Sequence, residues 1–335
     1  MKNLSSIALS AYTDLVRLLR DDAVSGIRGK PTLKRRGSKK YWYAARRIGT
    51  DTRFVYMGED SEDMRARIDR IDKDRALLLE RKNERARLVR LLRAEGLTPM
   101  DRRTGSIVSA MSDAGTFRLG GTIVGTNAFR LYEGELGLRL PLGGMATTDD
   151  LDIAQFGKLS VALQDHVDPG LAETFSDLRF EPVPALRQGK TWRWSQGGSG
   201  QLVEFLTPAF GAEDIRDLPA LGVSAQALNY LNFLIADPIP AAAIYRAGVL
   251  VQVPRPERYA IHKLIVADRR REGAGSLKAA KDREQAAFLI DALAEDRPDD
   301  LAEALAAALA AGPRWRERIA NSLKRMPETK ALLGA

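Results

Sequence analysis

Two aspartates separated by one residue, Asp150 and Asp152, stand in the stretch Thr148-Asp149-Asp150-Leu151-Asp152-Ile153. Alternate side chains of a β-strand share a face, so this spacing puts both carboxylates on one side, roughly 7 Å apart along the backbone. Isolated, such a pair repels, and a divalent cation held between the two removes that cost. Leu151 and Ile153 then point the other way, into a core that fixes the strand. An acidic pair in a solvent loop is spelled the same way, so the pair needs companions. A third acid, Glu204, interrupts the apolar run Leu202-Val203-Glu204-Phe205-Leu206. There it either faces solvent from an edge strand or sits buried, which is costly unless it is paired or bound to a cation.

A second feature precedes the acids. Phe117–Thr126 reads FRLGGTIVGT, an expected strand over Phe117–Val124 running into a turn at Gly125-Thr126 and a helix through Tyr132. Glycine at such a turn lets backbone N–H groups approach a phosphate, and the helix N-terminus adds partial positive charge. Thr126 adds a hydroxyl. An ordinary tight turn reads the same way. Gly120-Gly121 competes for the role but is read as lying within the strand.

These residues need a scaffold, and the chain is long enough for one. Its 335 residues, 44% hydrophobic and 29% charged, suit two or three globular units. With no cysteine there is no disulfide and no thiolate chemistry, and with only His166 and His262 zinc and histidine-centred triads are disfavoured. The segment Met1–Arg20 lacks the pattern of a secretion signal, and no apolar run is long enough to span a bilayer. A cytoplasmic protein without membrane contact is the expectation.

Along the chain, 1–25 reads as a helix, 39–57 as a β-hairpin turning at Gly49–Asp51, and Ser61–Glu95 as one long charged helix with an apolar stripe that includes Ile68, Ile71, Leu77, Leu79, Leu88 and Leu92. From about residue 115 short apolar runs alternate with helices, with strands expected at Thr148–Phe156, Phe180–Val183, Thr191–Trp194 and Leu202–Leu206. Beyond Pro208 the chain reads as mostly helical. The expected organisation is a basic appendage over 1–110, an α/β core over 111–210 and a helical part over 211–335.

The ordered set of strand, glycine turn, helix, D-x-D strand and later lone acid resembles the polymerase-β-type nucleotidyltransferase superfamily. The likeness is to its minimal bacterial branch, in the neighbourhood of kanamycin nucleotidyltransferases and abortive-infection toxin nucleotidyltransferases. Gly125-Thr126 stands where that pattern opens its helix with Gly followed by Gly or Ser. Thr148 precedes the acidic pair as is typical, and Glu204 stands where Asp is usual. The segment Pro256–Leu264, with Lys263, then Arg269, Arg270 and Lys281-Asp282, is similar to the basic helices that follow the core.

The resemblance, over about residues 115–290, implies an α/β (α+β) fold with a mixed sheet and transfer of a nucleoside monophosphate from an NTP with release of pyrophosphate. It implies two Mg²⁺ ions, with Mn²⁺ as an alternative, on Asp150, Asp152 and Glu204. One ion would hold the phosphates. The other would lower the pKa of an acceptor hydroxyl, with Glu204 completing its ligands. Asp149 would flank the site. Lys263 would neutralise the triphosphate or else be a helix-surface lysine.

Charge bears on the acceptor. Residues 1–110 hold 26 Lys and Arg against 15 Asp and Glu, a local +11 within a net +8. Lys34, Arg35, Arg36, Lys39, Lys40, Arg46 and Arg47 surround Tyr41, Trp42 and Tyr43. Cations interleaved with rings suit phosphate contacts and base stacking; a small structural sheet with solvated charges has the same composition. Trp192 and Trp194 are read either as a further stacking face or as core. RNA, tRNA foremost, is the expected acceptor. Alternatives are a small-molecule (antibiotic-type) or protein acceptor, or a non-catalytic nucleic-acid-binding protein on the same fold. The long helix also suits a homodimer.

Overall fold

Strict alternation of apolar and acidic residues makes Asp150–Ala154 a strand whose apolar side is sealed: Leu151 and Ile153 are fully buried, while Asp150 and Asp152 are half-buried. The computed structural model describes residues 2–24, 30–37, 39–48, 51–141, 148, 150–162, 165–184, 190–198, 200–270 and 275–334. The expected chain turn at Gly26–Gly29, Gly49, Asp149 and the side chains of Arg46 and Arg47 lie outside the described residues.

The chain begins with helix α1 (Ser6–Val24), then strands β1 (Lys30–Arg36), β2 (Lys39–Ile48) and β3 (Asp51–Glu59), and the 33-residue helix α2 (Glu62–Ala94). Helix α3 (Arg102–Ala114), strand β4 (Thr122–Val124), helix α4 (Gly125–Leu136) and the acidic strand β5 (Asp150–Ala154) follow. Next come α5 (Gly157–Ala162), α6 (Leu171–Asp177), β6 (Phe180–Pro182), β7 (Arg193–Gln196), β8 (Leu202–Pro208), β9 (Ile215–Leu218) and β10 (Val223–Leu228). Then α7 (Leu231–Leu234), β11 (Ile239–Ala243) and β12 (Val249–Val253) lead to the closing helices α8 (Pro256–Arg269), α9 (Ser276–Asp296), α10 (Pro298–Ala310), α11 (Pro313–Leu323) and α12 (Pro327–Leu332).

The result is an α/β fold around a mixed sheet of order β4-β5-β8-β10-β9. β5 and β8 run parallel, as do β8 and β10, while β4 is antiparallel to β5 and β9 to β10. The far side of β8 is shared: β7 pairs antiparallel with its first half and β10 with its end. One hydrophobic core runs from Met100 to Met326 and joins the sheet to α3, α4 and the closing helices. No helix among the described residues is long and apolar enough to cross a membrane.

Several expected elements change. The hairpin over 39–57 is the second half of a three-stranded antiparallel sheet, β1-β2-β3, whose first strand is too charged to read as one. Phe117–Gly120 are turns after α3, and only Thr122–Val124 is extended. The strand expected at Thr191–Trp194 begins at Arg193. Trp194 is core, its ring centroid 5.1 Å from Phe175 and 5.4 Å from Phe205, whereas Trp192 lies before the strand. Beyond Pro208 the chain is not at once helical. β9 to β12 come first, and two of them complete the central sheet.

α1 is bound into the body by a second apolar cluster, in which Leu4, Ala8, Tyr12, Leu15 and Leu19 meet Leu88, Val89 and Leu92 of α2 and Ala242 of β11. Gly134 of α4 permits the approach, since a Cβ there would lie 2.3 Å from the Tyr12 ring. The Ala242 N–H donates to the Tyr12 hydroxyl oxygen, 3.1 Å away. The apolar stripe expected along the whole of α2 is sealed only in places: Ile68, Leu88, Val89 and Leu92 are buried, but Leu77 and Leu79 are 47% and 59% exposed. Ser61 caps the helix, its hydroxyl accepting from the Met64 N–H, and Glu62 and Asp63 complement the helix dipole.

Candidate active site

The register of β5 on β8 sets Asp152 opposite Glu204 and Leu151 opposite Val203. Because side chains alternate, Asp150, Asp152 and Glu204 share the sheet face turned away from the buried Leu151, Ile153, Val203 and Phe205. Burial, then Glu204, then Asp150 push the Asp152 carboxyl up to about 7, and Lys263 and Arg270 only partly oppose this.

The glycine turn lies against the same carboxylate. Val124 of β4 pairs with Asp152. The next residue, Gly125, opens α4 with φ +65°, and a Cβ on it would fall 2.3 Å from Asp152 Oδ2. Both the positive φ and this approach require glycine. Val124, the N-cap residue, has no side chain able to cap this end of α4. Two bonds hold the turn on β5 and on α8: Asn127 Nδ2 donates to the Asp150 carbonyl over 2.7 Å, and the Tyr259 hydroxyl lies 2.8 Å from the Gly125 carbonyl. Thr126 is buried in the first turn. Gly125, rather than Gly120 or Gly121, therefore occupies the strand-to-helix junction.

Lys263 is neither a surface lysine nor a free cation. It is buried on α8, with Nζ 2.6 Å from Asp282 Oδ1, and Arg270 takes Asp282 Oδ2 at 2.9 Å. Burial alone would push Asp282 up, but the two cations outweigh it and hold its carboxyl below the usual range. Lys281 adds a third cation. Its pKa is lowered by burial and by Lys263, while Asp282 and Asp150 work in the opposite direction. Lys263, Arg270 and Lys281 thus form a basic wall within electrostatic reach of the carboxylates. His262, buried on α8, is held down to about 3 by burial and by Lys263, and so is neutral at physiological pH.

One residue was not visible as part of the site in the sequence. Arg193 of β7 is the cross-strand neighbour of Glu204, and its Nε lies 2.6 Å from Glu204 Oε1. Its guanidinium carbon also sits 4.3 Å from the centre of the Trp192 ring. The only sequence signal was position: an arginine preceding a buried tryptophan in a short strand.

The donor set suits a hard divalent cation, because it consists of carboxylate oxygens crowded enough to raise the pKa of one of them. Among the described residues, however, no three His, Cys, Asp or Glu side chains are gathered tightly enough to make a ready metal cage. Glu204 leans to Arg193 instead. The basic and aromatic residues of 30–59 are elsewhere, on the β1-β2-β3 sheet at the start of α2.

Comparison with known proteins gives four results. A family model described as nucleotidyltransferase matches residues 102–310, more than half of the chain. A second model, described as a domain of unknown function (DUF6788), matches residues 12–66. No curated protein matches. Among solved structures, an antigenic nucleotidyltransferase-like protein from Paracoccidioides brasiliensis is similar at 15% identity, covering 71% of this chain and 95% of that one, with a TM-score of 0.36.

Proposed function

We propose, since the chain belongs to the nucleotidyltransferase family, that it moves a nucleoside monophosphate from an NTP to an acceptor hydroxyl and releases pyrophosphate. The observation that carries this reading is the face shared by Asp150, Asp152 and Glu204, set against the Gly125 turn and the wall of Lys263, Arg270 and Lys281. Asp150 and Asp152 would hold divalent ions, Mg²⁺ or Mn²⁺, with Glu204 joining once it leaves Arg193. Bound there, such ions would supply charge neutralisation and activation of the acceptor.

The chain's own groups do the rest. The first turn of α4, with Gly125 and Thr126, presents backbone N–H groups and the positive end of a helix to a phosphate. The basic wall balances the polyphosphate, with Lys281 and Arg270 more accessible than the enclosed Lys263. The bonds from Asn127 and Tyr259 hold the Gly125 turn against β5 and α8, while Glu204 has to exchange Arg193 for an ion. RNA, tRNA foremost, is the acceptor that the local charge of +11 over 1–110 favours.

One observation favours a second reading, nucleotide binding without transfer: Arg193 already neutralises the third carboxylate. The deciding experiment offers the protein each labelled NTP with Mg²⁺ in the presence of total RNA, protein or metabolites, beside Asp152→Asn. Label entering RNA with the wild type and not with Asp152→Asn is the expected result. Label in a small molecule or protein would change the acceptor, and NTP binding without label in any fraction would establish the second reading.

A further inference from the structure

The three-stranded sheet β1-β2-β3 sorts its side chains into two unlike faces. Strand register places Lys30, Thr32, Lys34 and Arg36 of β1 opposite Ala45, Tyr43, Tyr41 and Lys39 of β2, all on one side. β3 adds Phe54 and Tyr56 to that side. Ring and cation contacts agree. Tyr56 lies 6.1 Å from Tyr41 and 5.7 Å from Tyr43 between centroids, and Lys34 Nζ sits 3.0 Å from the centre of Phe54 and 5.5 Å from that of Tyr43. Tyr56 is 58% exposed and Phe54 43%.

The other face is tied to α2. The Trp42 indole N–H donates to Asp60 Oδ1 over 3.0 Å, Arg65 of α2 grips the same carboxylate, and a Cβ on Gly58 would strike Met64 of α2 at 2.4 Å. Trp42 is therefore a structural anchor. Arg35 and Lys40 share its side.

We infer that the open face binds single-stranded RNA, with bases stacked on Tyr43, Phe54 and Tyr56 and phosphates held by Lys30, Lys34, Arg36 and Lys39. Charge complementarity selects the partner: four cations border the rings, and among the described residues only Lys39 of the four is in an ion pair, with Glu59 at 3.0 Å. Rings lying open between cations suit unpaired bases, since every base offers a π-face while a duplex hides its own. The hydroxyls of Tyr41, Tyr43, Tyr56 and Thr32 on the same face can meet 2′-hydroxyl groups, which DNA lacks. This binding bears on the acceptor of the proposed reaction but does not depend on transfer.

The test uses the full chain with a short labelled single-stranded RNA, without NTP and with divalent ions chelated, read by fluorescence anisotropy over a salt series. A failed transfer reaction then cannot mask a bound RNA. The wild type is expected to bind, with an affinity that falls steeply with salt. Phe54→Ala with Tyr56→Ala should lose about tenfold or more. Tyr56→Trp, which keeps a stacking ring, should retain affinity. Lys34→Ala should weaken binding and lower the salt slope by about one unit, and Arg35→Ala, exposed on the opposite face of the sheet, should change it less than Lys34→Ala. Unchanged binding by the Phe54/Tyr56 variant overturns the inference. So does equal binding of duplex RNA or of single-stranded DNA, or sedimentation showing that a second copy of the chain covers the face.

Discussion

Gly125 and Asp152 are in contact by design of the backbone: a methyl group on the glycine would lie 2.3 Å from Oδ2 of the aspartate. Gly125 also has φ +65°, a conformation that costs a residue with a Cβ roughly 1–2 kcal/mol by itself. Gly125→Ala is therefore expected to destabilise the fold and displace the Asp152 carboxylate together. Reduced thermal stability with at least tenfold weaker Mn²⁺ binding is the expected outcome. Gly121→Ala would strike the Thr116 backbone instead. It should lower stability without a specific effect on Mn²⁺, a contrast that calorimetry on the folded variants resolves.

The raised pKa of Asp152 fixes a pH dependence. In the folded metal-free protein its carboxyl titrates at about 7, well above the value of about 4 of an unfolded aspartate. The folded state therefore holds the extra proton between these values, and stability from this group is fully present below about pH 4 and is lost as pH rises through 7. Asp152→Asn should remove that decline, so the variant should gain on the wild type as pH rises from 5 to about 8. Parallel denaturation curves for the two proteins across this window would contradict the assignment. The same variant should lack transfer activity.

Arg193 and Glu204 give a prediction of opposite sign for stability and ion binding. Arg193→Ala leaves Glu204 facing Asp152 without its cation, so the metal-free protein should be less stable. The freed carboxylate should then take Mn²⁺ more tightly. Isothermal titration of the variant checks this, and unchanged or weaker Mn²⁺ binding would mean that Glu204 is not a ligand.

Asp282 bridges two cations, Lys263 through one carboxylate oxygen and Arg270 through the other. Asp282→Ala would leave the Lys263 ammonium enclosed without its carboxylate, at a cost of about 3–5 kcal/mol. Lys263→Met with Asp282→Leu, which removes both charges, should recover much of that loss. Urea denaturation of the single and double variants measures the difference.

The acidic strand was legible because alternation is a short-range signal: Leu151 and Ile153 betray the buried face, and the aspartates must then take the other. Glu204 was legible for the same reason. Its pairing partner was not, because register between β5 and β8 depends on more than forty intervening residues rather than on local spacing. Arg193 was hidden because an arginine one position before Trp194 carries no pattern of its own. β11, with Ile239-Pro240-Ala241-Ala242-Ala243, lacks β-branched alternation and becomes a strand only because β12 pairs with it. β1 is not legible as a strand because Lys34-Arg35-Arg36 carries no apolar alternation, while Phe117–Gly120 is apolar enough for a strand and yet turns after α3.

The sparsely anchored middle of α2 makes that helix a ruler with a phase. Each residue advances it about 1.5 Å and turns it by about 100°. Deleting one residue near the exposed Leu77 and Leu79 would swing the β1-β2-β3 sheet about a quarter-turn around the helix axis while hardly changing its reach. Deleting seven, nearly two full turns, would shorten the reach by about 10 Å and return the open face almost to its original bearing. Whether an acceptor presented on that sheet still meets Asp152 should therefore follow the number of residues removed periodically rather than monotonically.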